Sequence, residues 1–150
     1  MGLFKTIKKQ NYTIIIGCSR MGANLADTLS SAGRSVLIID RTEEAFKKLS
    51  PFFGGISLVG DGTEILVLNE ADIKHATEVV AVTNSDNTNI LLALLAKEHF
   101  GVGHVIARLS DPERECVYQE FGIETICPAE LSAKEINRLL SVEEVVEEDE

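Results

Sequence analysis

The chain has 150 residues, of which 45% are hydrophobic, a size and composition that suit one globular domain with its own core. Its formal net charge of −10, with no basic stripe, excludes the electrostatic pattern of a nucleic-acid-binding protein. The last eight residues, EEVVEEDE, include six acids, so we expect residues 141–150 to be a disordered acidic tail.

The cysteines and histidines indicate a reducing compartment and no metal site. The three cysteines are widely spaced without a CxxC pair, and the three histidines lack a ligand spacing. No run approaches the roughly 18 apolar residues of a membrane span, so we expect a cytoplasmic protein without direct membrane insertion. Residues 1–11 are predicted to be an N-terminal extension, although MGLFKT also matches the N-myristoylation pattern.

Residues 11–40 are predicted to form a strand, a glycine turn, a helix and a second strand. Tyr12–Ile16 is an apolar, β-branched run that suits a strand buried on both faces, and Gly17 follows where the chain must turn. Gly22 stands where a helix must pack closely on that strand, and the helix start offers free N–H groups to phosphate. Val36–Ile39 is the second strand, and Asp40 at its end is placed to bind a ribose and to repel a 2′-phosphate.

The glycine turn departs from the dinucleotide-binding pattern G-x-G-x-x-G at one position. It runs Gly17-Cys18-Ser19-Arg20-Met21-Gly22, so Ser19 replaces the middle glycine that lets a pyrophosphate approach the backbone. The serine side chain would either crowd a dinucleotide or donate a hydrogen bond to a phosphate. The alternative interpretation is a glycine turn that binds nothing.

Strands and helices continue to alternate after Asp40. Further strands are predicted at 56–59, 79–83, 105–109 and 123–126, and helices at 43–48, 64–69, 71–76, 86–100, 112–121 and 128–140. Thr42, Thr63 and the run Asn84-Ser85-Asp86 are positioned to cap helices. This order predicts an α/β fold over residues 12–140, a Rossmann-type, doubly wound, parallel six-stranded sheet with helices on both faces.

The carboxyl ends of the predicted strands collect the candidate ligand residues. Ligands of doubly wound sheets bind beyond these ends, at the point where the strand order reverses. The residues at these ends are Gly17–Gly22, Asp40, Gly60–Thr63, Thr83–Asp86 and Arg108.

Catalytic groups are missing from that edge of the predicted sheet. Tyr12 begins the first strand, and His75 and His104 precede the fourth and fifth, which places all three toward the opposite edge. The Lys-Ser/Thr of a P-loop is absent after the glycine turn. Asp61 and Asp86 are better explained as ligand contacts or helix caps than as general acids or bases. We therefore expect a protein that binds a nucleotide without transforming it, and not an enzyme.

Five blocks of the sequence, in this order, resemble the nucleotide-binding N-terminal domain of the TrkA / RCK family (regulators of potassium conductance). They are G-x-S-R-x-G, I-D-R, G-D-G-T, V-T-N-S-D-x-x-N and I-A-R-L-S-D-P, and the resemblance covers residues 12–140. It implies a cytosolic regulatory subunit that gates an integral-membrane potassium channel or transporter, lies at the inner face of the membrane through that partner, and binds NAD(H), ATP or ADP. It also implies homodimers and, commonly, octameric rings.

The same resemblance implies roles for individual cofactor-binding residues. The phosphate loop would consist of Gly17, Ser19, Arg20, Met21 and Gly22. Asp40 would bind the ribose and Arg41 would lie along the adenosine, with Asp61 and Gly62 on the adenine side. The opposite lip of the site would consist of Thr83, Asn84 and Asp86, and Arg108 would reach phosphate. Asp40 argues against NADP, while NAD and ATP both offer the ribose diol that it would bind.

Two other functions stay open at this point. The chain could be a small NAD-dependent oxidoreductase or its detached cofactor-binding domain, or a structural Rossmann domain with an empty cleft. The run Asn89–Phe100 is apolar around most of its circumference, and the last helix carries Leu131, Ile136, Leu139 and Leu140. Together with the resemblance, this favours both helices as assembly surfaces.

Overall fold

The structure, a computed structural model, describes residues 11–141 of the chain. The predicted N-terminal extension, with its myristoylation pattern, and the predicted acidic tail lie outside the described residues, apart from Asn11 and Ser141.

Six parallel strands form a single sheet, which confirms the predicted fold class. The strands are β1 (Tyr12–Ile16), β2 (Ser35–Asp40), β3 (Ile56–Val59), β4 (Glu78–Ala81), β5 (His104–Arg108) and β6 (Glu124–Ile126). Their order across the sheet is β3-β2-β1-β4-β5-β6, so the chain first builds outward from β1 and then returns to its other side. The strand order therefore reverses between β1 and β4.

Five α-helices connect or follow the strands. They are α1 (Arg20–Ser31), α2 (Ile65–Glu70), α3 (Asp86–Leu94), α4 (Glu115–Gln119) and α5 (Pro128–Leu139). Short 3-10 helices occupy Glu43–Lys48, Ile73–His75 and Pro112–Arg114, and α3 continues into a π-helical turn over Leu95–His99.

The side chains of β1 alternate between two hydrophobic layers, which is why this strand is apolar throughout. Ile14 and Ile16 belong to the layer that contains α2 and α3, and Ile15 belongs to the layer that contains α1. Ile16 also pairs with Ile39 of β2 and Ala81 of β4. The carboxyl ends of three strands therefore meet around Gly17, with helices on both faces as predicted.

Among the predicted boundaries that differ from the structure, two differ because side chains take over backbone bonds. Helix α2 begins at Ile65 with Glu64 in the N-cap position, while the predicted cap, Thr63, donates its hydroxyl to Asp61 at 2.6 Å. Strand β4 ends at Ala81 rather than Thr83, since the Thr83 N–H is bound to a side chain of α3.

The two helices expected as assembly surfaces differ in how much the chain itself covers them. Helix α3 packs on β4 and β5, and Leu92, Ala93 and Ala96 along its run are buried, so most of its apolar circumference is accounted for within the chain. Leu91 remains 47% exposed. Helix α5 buries none of its residues. Between residues 11 and 141, no helix has the length and apolar character that crossing a bilayer requires.

Candidate functional site

Two glycines shape the loop between β1 and α1. Gly17 has φ +108°, and a Cβ there would lie 2.8 Å from the Thr83 nitrogen, so only glycine fits between the two strand ends. A Cβ on Gly22 would lie 2.0 Å from the Gly17 carbonyl oxygen. The glycine spacing in the sequence therefore reflects close contacts of this loop with β4 and with the start of α1.

Ser19 closes the loop as the N-cap of α1. Its hydroxyl donates to the Val82 carbonyl at 2.9 Å and accepts the Gly22 N–H at 3.2 Å. The hydroxyl thus ties the glycine loop to the end of β4. Neither role considered from the sequence, crowding a ligand or donating to a phosphate, is needed to explain why a serine stands here.

Asp40 links the end of β2 to the glycine loop. One carboxylate oxygen accepts the Cys18 N–H at 2.9 Å, and the other accepts the Thr42 N–H at 3.1 Å and hydroxyl at 3.3 Å. A carboxylate offers about four acceptor positions, and three are used here, so about one is left for a further donor such as a ribose hydroxyl. Asp40 therefore positions the loop as well as facing the cavity.

Charged residues on either side of Asp40 set the local electrostatics. Lys48, at the end of the 3-10 helix, donates to the Cys18 carbonyl at 3.1 Å. Arg41 lies 3.3 Å from the Asp61 carboxylate, and its side chain is 78% exposed. Both cations line the same cavity as Asp40, a charge pattern that tolerates a phosphate next to a ribose.

Asp61 and Gly62, predicted for the adenine side, are mainly occupied with the fold. Asp61 accepts the Thr63 N–H at 2.9 Å and the Thr63 hydroxyl, and these bonds lower the pKa of its carboxyl, helped by the charge of Arg41. Gly62 is buried, and a Cβ there would lie 2.6 Å from the Ile16 side chain. Neither residue lines the cavity described below.

The glycine loop contains one thiol, that of Cys18, and burial determines its reactivity. Cys18 is 1% exposed, and its Sγ contacts the Ala45 carbonyl at 3.3 Å. Burial, and next the negative charge of Asp40, raise the pKa of the Cys18 thiol, while Lys48 opposes the rise. A thiol with a raised pKa is a poor nucleophile, which supports a packing role.

The opposite lip contains Thr83, Asn84 and Asp86, and the structure assigns them different surroundings. Thr83 and Asn84 face the cavity. The Asp86 carboxylate instead accepts the Ser110 N–H at 2.9 and 3.0 Å and the Asp111 N–H at 3.3 Å. Asp86 therefore fixes the loop after β5, a role that its place in a helix cap did not reveal.

Arg108, Arg20 and Met21 also lie away from the cavity lining. Arg108 ends β5, where its carbonyl accepts a bond from Asn89. Arg20 is exposed at the first position of α1, and Met21 packs against the hydrophobic layer under that helix. Any contact of these residues with a ligand is a prediction that stays untested.

The cleft, as we call it from here on, is a cavity of about 500 Å³ at the carboxyl edge of the sheet. That volume falls within the roughly 300–1,000 Å³ of small-molecule sites. It is lined by Ile16, Gly17, Cys18, Ser19, Ile39, Asp40, Arg41, Thr42, Ala45, Lys48, Gly60, Thr83, Asn84, Ser85 and Thr88. Six predicted residues are thus brought together: Gly17, Ser19, Asp40, Arg41, Thr83 and Asn84.

Sequence reasoning missed three polar residues of the cleft, Thr42, Lys48 and Thr88. Thr88 stands three residues after Ser85, whose hydroxyl accepts its N–H at 3.3 Å, so helical spacing could have found it. Lys48 carries no such signal, because only the fold of the 3-10 helix brings it back to Cys18. Among residues 11–141, no group of three or more His, Cys, Asp or Glu could hold a metal ion.

Tyr12, His75 and His104 lie toward the amino edge of the sheet, as the sequence predicted. His75 ends the 3-10 helix that precedes β4, and His104 is the first residue of β5, so both lie toward the amino edge. The Tyr12 hydroxyl donates to the Ala71 carbonyl. Burial, and then the charge of Asp72, raise the pKa of Tyr12 to about 12, so its proton is held tightly at neutral pH.

Comparison with known proteins agrees with this geometry. The sequence profile of the TrkA-N domain matches residues 13–128, which confirms the resemblance predicted from the motifs. The Trk system potassium uptake protein TrkA of Streptomyces coelicolor is 40% identical over 129 residues, which cover 86% of this chain and 58% of that protein. The chain thus spans less than two thirds of that relative's length.

Solved structures of GsuK share the fold. The GsuK channel bound to NAD superposes with a TM-score of 0.74 at 27% identity, covering 87% of this chain and 23% of that one. GsuK bound to ADP gives a TM-score of 0.74 at 26% identity, covering 89% of this chain and 35% of that one. Both ligands contain an adenosine diphosphate portion.

Proposed function

Because this chain belongs to the TrkA-N domain family, we propose that it is a nucleotide-sensing regulatory subunit of a potassium transport system. It binds NAD(H) or ATP/ADP in the cleft without turnover, and it acts on an integral-membrane channel or transporter. The name of the Streptomyces coelicolor relative supports potassium uptake as the process. The chain spans 58% of that relative, so the activity of the whole system belongs to the proposal.

The ligand assignment rests on one observation, which is the hydrogen bond between Asp40 and the glycine loop. The carboxylate accepts the Cys18 N–H at 2.9 Å, which puts the ribose-binding group beside the amides at the start of α1. Helix N-termini attract phosphate, and a carboxylate at the end of β2 accepts bonds from a ribose diol. A molecule with both groups, such as an adenosine diphosphate, would satisfy both parts at once, whereas a 2′-phosphate would face Asp40.

The remaining assignments follow from this placement. The proposed cofactor-binding set keeps all thirteen predicted residues, with Gly17, Ser19, Asp40, Arg41, Thr83 and Asn84 on the cleft wall. The others act from outside the wall or through backbone groups. Lys48 and Thr88 join them as polar groups of the lining.

Binding without turnover is supported by the residues that line the cleft. They include no His or Tyr and a single carboxylate, Asp40, which already accepts three hydrogen bonds. Of the other titratable groups of the lining, Cys18 is buried and Lys48 donates to the Cys18 carbonyl. Proton transfer to or from a substrate needs an acid or base within hydrogen-bond reach. Steady oxidation of NADH with a panel of carbonyl substrates would instead favour a small oxidoreductase.

Assembly is proposed to use α5. This helix of 12 residues exposes Ile136 at 54%, Leu139 at 67% and Leu131 at 52%. Apolar residues at helical spacing form a stripe that is stable in water when another surface covers it. A second copy of the chain in a homodimer, and rings built from such dimers, would cover it, with the assembly held at the inner membrane face by its partner.

Sensing is proposed to work by population shift. A ligand moves an equilibrium between two arrangements only through its different affinity for each. A ratio of about 100 corresponds to roughly 2.7 kcal/mol, which is large enough to regulate a partner when several subunits act together. The cleft contacts the ends of β1, β2 and β4, so one ligand can bias both halves of the sheet.

Calorimetric titration with NAD, NADH, ADP, ATP and NADP tests the ligand class. We expect binding of the first four and weaker binding of NADP. Asp40→Asn keeps an acceptor for the Cys18 N–H but removes the charge, and we expect at least about tenfold weaker binding, since hydrogen bonds to charged groups contribute about 1.5–3 kcal/mol. Asp72→Asn, on the opposite edge, is the matched control. Wild-type affinity in folded Asp40→Asn would refute the ribose assignment.

A further inference from the structure

Asn89 is a fully buried polar residue on α3, one of two buried polar side chains in residues 11–141. Its Oδ1 accepts the Thr83 N–H at 2.8 Å and the Thr83 hydroxyl at 2.7 Å. Its Nδ2 donates to the Thr83 carbonyl at 3.0 Å and to the Arg108 carbonyl at 3.0 Å. One side chain therefore joins the segment after β4, the end of β5 and α3.

These four bonds use the whole capacity of a carboxamide, two donated and two accepted. Toward Thr83 the side chain behaves like the backbone of a neighbouring strand, because it pairs with both the N–H and the carbonyl of one residue. This is why β4 stops at Ala81 while the next residues still hold a fixed path. Thr83 lies outside the hydrogen-bonded ladder of the sheet, and its bonds to Asn89 determine the position of its backbone.

Thr83 is also the part of the opposite lip that touches the glycine loop. A Cβ on Gly17 would lie 2.8 Å from the Thr83 nitrogen, and the Ser19 hydroxyl bonds to the Val82 carbonyl just before it. The loop and the lip therefore form a single packed unit across the cleft. A shift of Thr83 would move both walls of the cleft.

We propose that Asn89 is a positioning residue for the nucleotide site. It fixes the Thr83–Asn84 lip against the glycine loop, and it links that lip to the end of β5. This role rests on the proposed function, since it concerns the ligand that the cleft binds. A ligand that displaces the lip would, through Asn89, also displace α3 and the carbonyl of Arg108.

Aspartate, leucine and serine each lose some of these four bonds. Aspartate has no Nδ2 donors and would place a second carboxylate oxygen against the carbonyls of Thr83 and Arg108. Leucine has a similar volume and makes no hydrogen bond, and serine is too short to reach both strand ends.

The test compares the same substitution at two positions of α3. Asn89→Asp removes both donors, whereas Asn87→Asp changes an exposed side chain whose Oδ1 accepts from Arg114 at 3.0 Å. With ADP and with NAD as probes, calorimetry should show at least about tenfold weaker binding for Asn89→Asp, or about 1.4 kcal/mol, and unchanged binding for Asn87→Asp. Both are measured at a temperature where circular dichroism shows folded protein.

Two further measurements separate positioning from general destabilisation. Ile73→Ala removes a fully buried side chain near the amino edge, away from the cleft, and should lower Tm while leaving affinity unchanged. Amide hydrogen exchange at Thr83 should be faster in Asn89→Ser, whose shorter side chain removes the acceptor of that N–H, and unchanged in Ile73→Ala. Asn89→Ser, which is smaller and leaves room for water, replaces Asn89→Asp if the latter does not fold.

The outcomes are distinct. Wild-type affinity in a folded Asn89 variant, or a loss no larger than that of Ile73→Ala, overturns the positioning role. Failure of the wild-type protein to bind any nucleotide counts against the proposed function, and in that case exchange at Thr83 still decides whether Asn89 holds the lip.

Discussion

At the scale of single residues, three carboxylates of this protein hold backbone segments in place by hydrogen bonds within the fold. Asp40 holds the glycine loop, Asp61 holds the turn after β3, and Asp86 holds the loop after β5. Each accepts main-chain N–H groups, and these bonds organise the carboxyl edge of the sheet. These three carboxylates, which the sequence predicted as ligand contacts, therefore help to determine the shape of the cleft.

Asp61 gives a prediction about pH. Its hydrogen bonds to Thr63 lower the pKa of its carboxyl below the unfolded value, so it stabilises the fold above that value. This contribution is lost as pH falls through the lowered pKa. Asp61→Asn should be less stable than wild type at neutral pH, and should lose less stability between about pH 5 and about pH 3.

Urea unfolding at several pH values measures the effect of Asp61→Asn. Glu64→Gln, which removes an exposed negative charge from the same turn, serves as the control and should follow the wild-type pH dependence. Parallel curves for wild type and Asp61→Asn would show that the Asp61 bonds contribute nothing in the folded state.

At the scale of elements, the start of α1 combines a helix cap with a link between strands. The Ser19 hydroxyl accepts the Gly22 N–H and donates to the Val82 carbonyl, so it serves both the helix and the loop. The N-terminus of α1 is thereby held in place beside the cleft. A serine before a helix predicts the N-cap bond but not the second bond to Val82.

Ser19→Ala should destabilise the protein by about 1 kcal/mol or more, because it removes the cap and leaves the Val82 carbonyl without this donor. Ser19→Gly restores the glycine of the dinucleotide pattern and should cost less at the cap, since glycine is a tolerated N-cap. Thermal unfolding of the two variants tests the order. Equal Tm values for wild type and Ser19→Ala would contradict the double role.

At the scale of the whole molecule, the doubly wound sheet brings the ends of β1, β2 and β4 to one cleft, and α5 follows the edge strand β6. Neighbouring elements of the chain cover α3 but leave every residue of α5 unburied. The cleft and the exposed helix are thus separate surfaces of one chain. This separation suits the proposed sensor, whose ligand site and proposed assembly surface differ.

Oligomeric state tests the proposed role of α5. Light scattering at micromolar concentration should give about twice the chain mass of 16.4 kDa for wild type. Ile136→Asp combined with Leu139→Asp should give the monomer mass, because charges in the apolar stripe cannot be buried without a partner. Asn137→Asp, on the same helix, is the control. A monomeric wild type would remove α5 as a dimer surface.

Much of the fold could be predicted from local patterns, and six of the thirteen predicted site residues line the cleft. The apolar run of β1, the spacing of Gly17 and Gly22, and Asp40 after β2 mark the βαβ unit, because each feature is set by neighbours close in sequence. The alternation of strands and helices was enough to predict a parallel sheet. Helix starts were less certain, as Thr63 illustrates, since a side chain can bond to a turn instead of capping a helix.

Local patterns are sufficient for the βαβ unit, the class of sheet and the motifs of the family, because short-range periodicity and turn chemistry encode them. The bonds of Lys48 to Cys18, of Asp86 to Ser110, and of Asn89 to Arg108 depend on the folded structure. These are hydrogen bonds between segments far apart in the chain. Their partners become neighbours only after the sheet has formed, so no local pattern reports them.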